Sequence, residues 1–159
     1  MTENIRAKIL AEALCEINRH GADFHMDDLA RNLRISKRTL YEHFSSKQEI
    51  IEQAISDFTN KIYAYHRRIV SDSTMTCEAK LIAYFDVPSD NWQVLSVRKA
   101  SELLTKMPDV WNRLQSRYEK DWRLLEQLLD EAQETGEFKP FDKFLFFPLM
   151  LCAADDIIY

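Results

Sequence analysis

Glycine is almost absent from this chain. Gly21 and Gly136 are the only two in 159 residues, too few for a glycine-rich phosphate loop of either common kind or for the many turns of a β-sandwich or barrel. Cysteine is nearly as sparse. Cys15, Cys77 and Cys152 are widely spaced and form no CxxC pair, which argues against a disulfide framework or a zinc site and suits a reducing, cytoplasmic setting. Long apolar runs are missing too. The N-terminal stretch MTENIRAKIL has no segment long enough for a signal peptide, and the longest apolar run, residues 144–154, is 11 residues and contains Pro148. A spanning helix needs about 20, so no membrane partner is expected.

What is present is an ordinary globular composition, 46% hydrophobic and 30% charged. Apolar residues recur at three- and four-residue spacing nearly everywhere, which is the helical period. Ile5, Ile9, Ala13 and Ile17 form a first stripe that stops at Gly21. Leu29 and Leu33 mark a short second helix, Leu40 and Phe44 a short third. A long fourth carries Ile51, Ile55, Phe58, Ile62, Tyr65 and Ile69 on one face. Its start, Ser46 to Glu49, reads as a capping box. After a polar connector, Cys77 to Phe85 reads as a short helix, and another capped at Ser89 or Asp90 carries Leu103, Leu104 and Met107 up to Pro108. Asp109 is expected to cap a long one that stops at Gly136. The last begins near Asp142 and is expected to kink at Pro148. The fold class is all-α, with three divisions by role: a head over 1–46, a connecting helix over 47–70, and a helical remainder over 71–159.

The total charge is −5, from 21 basic and 26 acidic residues, but its distribution matters more than its sum. Residues 71–159 hold 16 acidic against 10 basic residues, while residues 31–47 carry Arg31, Arg34, Lys37, Arg38 and Lys47 against Glu42 alone. On charge alone this basic segment reads equally well as a solvated face. Its layout adds more. A short amphipathic helix, a tight turn at Arg34 to Ser36 and a second short helix from Lys37 to Phe44 make a helix-turn-helix, in which Ala30 allows close packing and Ile35 plugs the corner. The second helix presents Lys37, Arg38, Thr39, Tyr41 and His43 outward. All are hydrogen-bond donors suited to phosphates and base edges, and the helix starts near Ser36 and Ser46 offer backbone N–H groups. Leu29, Ile35, Leu40 and Phe44 are core.

The run from Leu29-Ala30 through Ile35-Ser36-Lys37-Arg38-Thr39-Leu40-Tyr41-Glu42-His43-Phe44-Ser45-Ser46-Lys47 resembles the DNA-binding signature of the tetracycline-repressor (TetR) family, densely over residues 5–55. The resemblance implies a homodimeric transcriptional regulator, usually a repressor, that binds double-stranded operator DNA. Position by position, Ser36, Lys37, Arg38 and Thr39 match the start of the recognition helix, and Tyr41, His43 and Lys47 match positions that usually grip phosphates. Arg34 and Arg38 stand where many members have glycine, so Arg34, counted with the DNA-binding residues, must tolerate the turn's backbone, and Arg38 is expected to reach DNA. His25 stands in place of the usual threonine cap. Two alternatives stay open: Tyr41 packing on the first helix, and His43 as a core histidine.

The C-terminal half is loaded with large side chains. By pattern they are core; by the resemblance, Tyr84, Phe85, Trp92, Leu103, Met107, Trp111, Tyr118, Trp122, Phe144 and Phe147 line a pocket for an unidentified apolar or aromatic effector. Asn91, Gln93, Ser96, Arg98, Gln115 and Arg117 are its candidate polar partners. Residues 144–151, apolar on all sides, must be covered on more than one face. The resemblance makes them part of a homodimer interface built from C-terminal helices, and the chain is expected to continue past Tyr159. A helical adaptor that binds a small molecule or protein without DNA is the alternative function, disfavoured by the basic segment. Enzyme chemistry is not expected. His20, His25, His43 and His66 are scattered, no HExxH or HxxxH occurs, and Asp155-Asp156 is an isolated acidic pair. No cofactor or metal is implied.

Overall fold

The computed structural model describes residues 5–87, 97–146 and 148–149 of the chain. Among them every regular element is helical, in line with the spacing of apolar side chains. α1 spans Ile5–His20, α2 Met26–Asn32, α3 Lys37–His43 and α4 Lys47–Val70. Beyond the polar connector lie α5 (Cys77–Phe85), α6 (Val97–Lys106) and α7 (Pro108–Glu134). Residues 143–146 and 148–149 are helical again.

The chain forms two compact units, Met1–Phe58 with Ser89–Leu114, and Thr59–Pro88 with Gln115–Tyr159. Both boundaries fall inside helices, α4 and α7. Packing therefore groups residues differently from the division by role at 46 and 70. The reason is specific: α6 lies against the short turn after α1, Lys106 Nζ is 3.1 Å from Asp23 Oδ2, and Arg113 grips Glu52 through two bonds of 2.7 Å. These contacts draw residues 97–114 to the N-terminal helices.

In the first unit α1 buries the expected stripe, with Ile9, Ala13 and Ile17 fully enclosed. Each buried Ile contributes about 1.5–3 kcal/mol relative to exposure. Gly21 leaves the helix with φ +61, a conformation that costs a residue without Cβ nothing. α1 packs on α2 and α2 on α3, while α4 buries Ile50, Ile51, Ala54 and Ile55. In the second unit one core cluster centres on Tyr84, Leu125 and Leu129, with Phe85 and Trp122 against it. A second centres on Cys77, Leu128 and Ala132.

Two caps differ from expectation. Ser46 Oγ accepts from Glu49 N at 3.1 Å, but the Glu49 carboxylate reaches one residue further back than a capping box requires. It accepts from the Ser45 amide and hydroxyl, both at 2.7 Å. Asp109 does not cap α7. Pro108 opens that helix, a first-turn position where its missing N–H and fixed φ cost nothing, and the carbonyl of Met107 accepts from Val110 N and Trp111 N. At α5 the cap is Thr76, whose hydroxyl accepts from Ala79 N at 3.2 Å. The expected cap at Ser89 or Asp90 lies outside the described residues.

Candidate nucleic-acid interface

The turn between α2 and α3 is built by backbone bonds. Arg34 N donates to Arg31 O and Ile35 N to Ala30 O, both at 3.0 Å. This pair of bonds is a Schellman motif, which closes a helix through one left-handed residue, usually glycine. Here that residue is Arg34, at φ +56. The chain then extends through Ser36, whose hydroxyl accepts from Thr39 N at 3.0 Å and so caps α3. α2 has no such cap: His25 precedes it in an extended conformation without a side-chain bond.

α3 is held by Leu40 and Phe44, both buried. Its other side chains face outward. The Arg38 side chain is 88% exposed and that of Lys37 49%, Tyr41 is 51% exposed, and Ser36 is exposed while Thr39 and His43 are half-buried. Tyr41 is therefore not packed away on α1. Arg34, Ser36, Lys37, Arg38, Thr39, Tyr41 and His43 thus come together on one turn and the helix that follows it.

Lys47 stands apart from this set. Its ammonium donates to the carbonyls of Ala22 and Phe24, each at 2.5 Å, and lies 4.4 Å from the centre of the Phe24 ring. Burial lowers its pKa. Those bonds tie the start of α4 to the turn after α1. Arg6, which the sequence pattern did not single out, has a parallel role. Its guanidinium lies 4.2 Å from the Phe44 ring centre, donates to the His43 carbonyl at 2.5 Å and stands 3.6 Å from Glu49. The Ser45 hydroxyl, followed by its amide, holds the Glu49 carboxyl below the usual range. Arg6 thus holds the far end of α3, and Lys47 the start of α4.

The residues expected to line a pocket are divided. Trp92 and Phe147, with Asn91, Gln93 and Ser96, lie outside the described residues, as does the Arg98 side chain. In the first unit Leu103 is buried, Met107 half-buried and Trp111 37% exposed. In the second, Phe85 and Trp122 pack against the Tyr84 cluster, and burial pushes the Tyr118 phenol up to about 12. Phe144 corrects the expectation: at 84% exposure it lines no interior, because residues 143–146 turn it to solvent beside Leu145. Gln115 is bonded along its own helix to Glu119.

The second unit also holds a polar cluster that spacing did not reveal. His66, on α4, is 5% exposed. Its Nδ1 lies 2.8 and 3.0 Å from the two carboxylate oxygens of Asp121, and its Nε2 lies 3.0 Å from the Tyr84 carbonyl. Both ring nitrogens thus have a polar partner, which fixes the ring at both ends. The ring stacks on Tyr84 at 3.6 Å between centroids, and the Tyr84 hydroxyl donates to Asp121 Oδ2 at 3.1 Å. Burial, then the Asp121 charge, raises the Tyr84 pKa far above its ordinary value, so it remains a neutral donor. Among the described residues, no group of three or more His, Cys, Asp or Glu side chains is placed to hold a metal ion.

Comparison with known proteins agrees with this geometry. Residues 9–54 match the family described as bacterial regulatory proteins, tetR family. The HTH-type transcriptional regulator YvaF of Bacillus subtilis, itself uncharacterised, is 25% identical over 150 residues, covering 94% of this chain and 79% of its own length. The HTH-type transcriptional repressor KstR2 of Mycolicibacterium smegmatis is 23% identical over 117 residues, covering 71% of this chain and 57% of the repressor. The chain thus spans under three fifths of that relative. A TetR family protein from Vibrio parahaemolyticus shares the fold, with a TM-score of 0.56 and 20% identity over 96% of this chain and 82% of the other. With α2, the Arg34 turn and α3 as its helix-turn-helix, residues 9–54 of this chain carry the DNA-binding domain of the bacterial regulatory proteins of the tetR family.

Proposed function

We propose that this regulator is a homodimeric repressor that leaves double-stranded operator DNA when a small apolar or aromatic ligand binds within residues 71–159. The observation that carries the DNA half is the outward face of α3, where Lys37, Arg38 and Tyr41 stand exposed on a helix anchored by two buried residues. In this reading Ser36, Lys37, Arg38 and Thr39 face base edges, while Arg34, Tyr41 and His43 meet phosphates. Lys47 serves the head by donating to the Ala22 and Phe24 carbonyls. Repression is favoured over activation because KstR2 relatives are named repressors. The aromatic side chains around Tyr84 and Trp122 support an apolar ligand, and the exposed Phe144, Leu145 and Leu149 support a dimer surface near the C-terminal helices. No catalysis or cofactor is assigned. Among the described residues no helix is long and apolar enough to cross a membrane, and a regulator of operator DNA works in the cytoplasm.

A ligand releases DNA only by binding the non-reading arrangement of the dimer more tightly than the reading one. α4, whose residues are divided between the two units, is the element through which that preference passes. The test is fluorescence polarisation with duplexes from the promoter region flanking the gene, between about 50 and 200 mM salt. A sequence-preferring affinity that falls linearly on a log–log salt plot supports the reading. Salt-insensitive or absent DNA binding overturns it and leaves the small-molecule or protein adaptor in its place.

A further inference from the structure

Three basic residues of the head are not free charges. Arg31 Nη2 lies 2.8 Å from Asp28, Lys37 Nζ lies 2.7 Å from Asp27, and Arg38 Nε donates to Glu42 Oε1 at 3.1 Å. Three carboxylates thus neutralise three of the cations of an apparently basic segment. Helix stability does not account for the last pair. An exposed pair at this spacing shifts an equilibrium by at most about fivefold, and an acid on the C-terminal side of its base is the weaker order on a helix. Its geometry is informative instead. Glu42 takes the Nε of the guanidinium, and both terminal amino groups stay unpaired among the described residues, on a side chain that is 88% exposed. Those two groups make the paired contact with a guanine edge, and the planar fork must be oriented for that contact to form.

Resting on α3 as the reading helix, we propose that Glu42 is a positioning residue that turns Arg38 from a phosphate contact into a base contact. Asp27 and Asp28 neutralise the neighbouring cations, so that indiscriminate phosphate binding is weakened. Non-specific affinity comes almost entirely from cations releasing counterions from phosphates, and paired cations release fewer. A base contact made by the free end of Arg38 keeps the Glu42 pair intact and escapes that loss. The carboxylates thus lower the affinity for arbitrary DNA more than for the correct site.

The experiment compares two probes by fluorescence polarisation: a random-sequence duplex of about 30 base pairs, spanning roughly three helical turns, and the duplex that the wild-type protein enriches from a randomised pool. Glu42→Ala is expected to bind the random duplex several-fold tighter and to lose about tenfold of the preference for the enriched one, against a bidentate base contact worth about five- to 150-fold. Glu42→Gln, which keeps an acceptor for Nε without the charge, is expected to recover most of the preference while retaining the tighter random binding. Asp27→Asn should steepen the salt slope on random DNA by up to about one, since one cation is freed. Asp130→Asn, on α7 and paired with Lys143, removes the same charge away from the head and should change neither quantity. Unchanged preference in Glu42→Ala, or a gain in Asp130→Asn equal to that in Asp27→Asn, overturns the inference while leaving DNA reading intact. A wild-type pool without enrichment overturns the reading helix itself, and this role with it.

Discussion

The reading head and the second unit hold their ionisable side chains in opposite ways. In the head, Arg31, Lys37 and Arg38 pair with carboxylates at the surface, where a pair is worth roughly 0.2–1 kcal/mol and is screened by salt. Such pairs exchange partners at little cost: those of Arg31 and Lys37 give way to a polyanion, while that of Arg38 is kept and orients its guanidinium. In the second unit His66 is enclosed, bonded at both ring nitrogens and stacked on Tyr84. There, losing one partner strands a buried polar group, and the penalty falls on folding. A carboxylate therefore serves a loose surface pairing in one place and fixation in the other.

The largest test of this contrast is Asp121→Ala. It removes the acceptor of His66 Nδ1 and one acceptor of the Tyr84 hydroxyl. Stranding a buried polar group costs roughly 1–3 kcal/mol, and the loss of bonds to both His66 and Tyr84 places this change near the upper end. At about 3 kcal/mol the melting temperature should fall by roughly 6–12 °C, read by circular dichroism. Affinity for random DNA, measured well below that temperature, should stay as it was. A loss under about 1 kcal/mol would put the cluster on a par with a surface pair and erase the contrast.

That cluster also marks where sequence reading stops. α4 and α5 were legible to their ends, because stripes such as Ile51, Ile55 and Ile69 and the turn chemistry at Ser46 are local signals. The reading segment was legible for the same reason: turn, cap and anchors lie within a few residues of one another. His66 meets Asp121 across 55 positions, and no spacing rule spans that distance. Lys47 and Arg6 were hidden differently. A lysine's sequence does not tell whether its ammonium points at solvent or at the Ala22 and Phe24 carbonyls. The pocket residues followed from aromatic content, which cannot say which unit a side chain joins or that Phe144 faces solvent.

Lys47 is the exception within the head, a cation treated as the second unit treats His66. Lys47→Met keeps the apolar stem and removes two charge-assisted bonds. Bonds to charged groups contribute about 1.5–3 kcal/mol when buried. Partial exposure reduces that, so a loss of about 1–2 kcal/mol is expected by denaturant or thermal unfolding. The slope of log affinity against log salt on random DNA should not change. A slope shallower by about one would return Lys47 to the phosphate role that the family resemblance implies.

Arg34→Gly gives the smallest change in stability, and one of opposite sign. Arg34 holds a left-handed conformation at φ +56, which costs a residue with Cβ about 1–2 kcal/mol. Glycine removes that strain but loses about 0.5–1 kcal/mol more conformational entropy on folding. The difference leaves the variant more stable by roughly 0.5 kcal/mol. Function should move the other way. Arg34 is exposed and, unlike Arg31, Lys37 and Arg38, has no carboxylate against it among the described residues, so it is available to a phosphate. Its removal should flatten the salt slope by about 0.9 while leaving the preference between enriched and random duplexes intact. A variant that gains stability and keeps its full salt slope would mean that the arginine serves neither the turn nor the DNA, and the division between exchanging and fixed charges would then need redrawing inside the head itself.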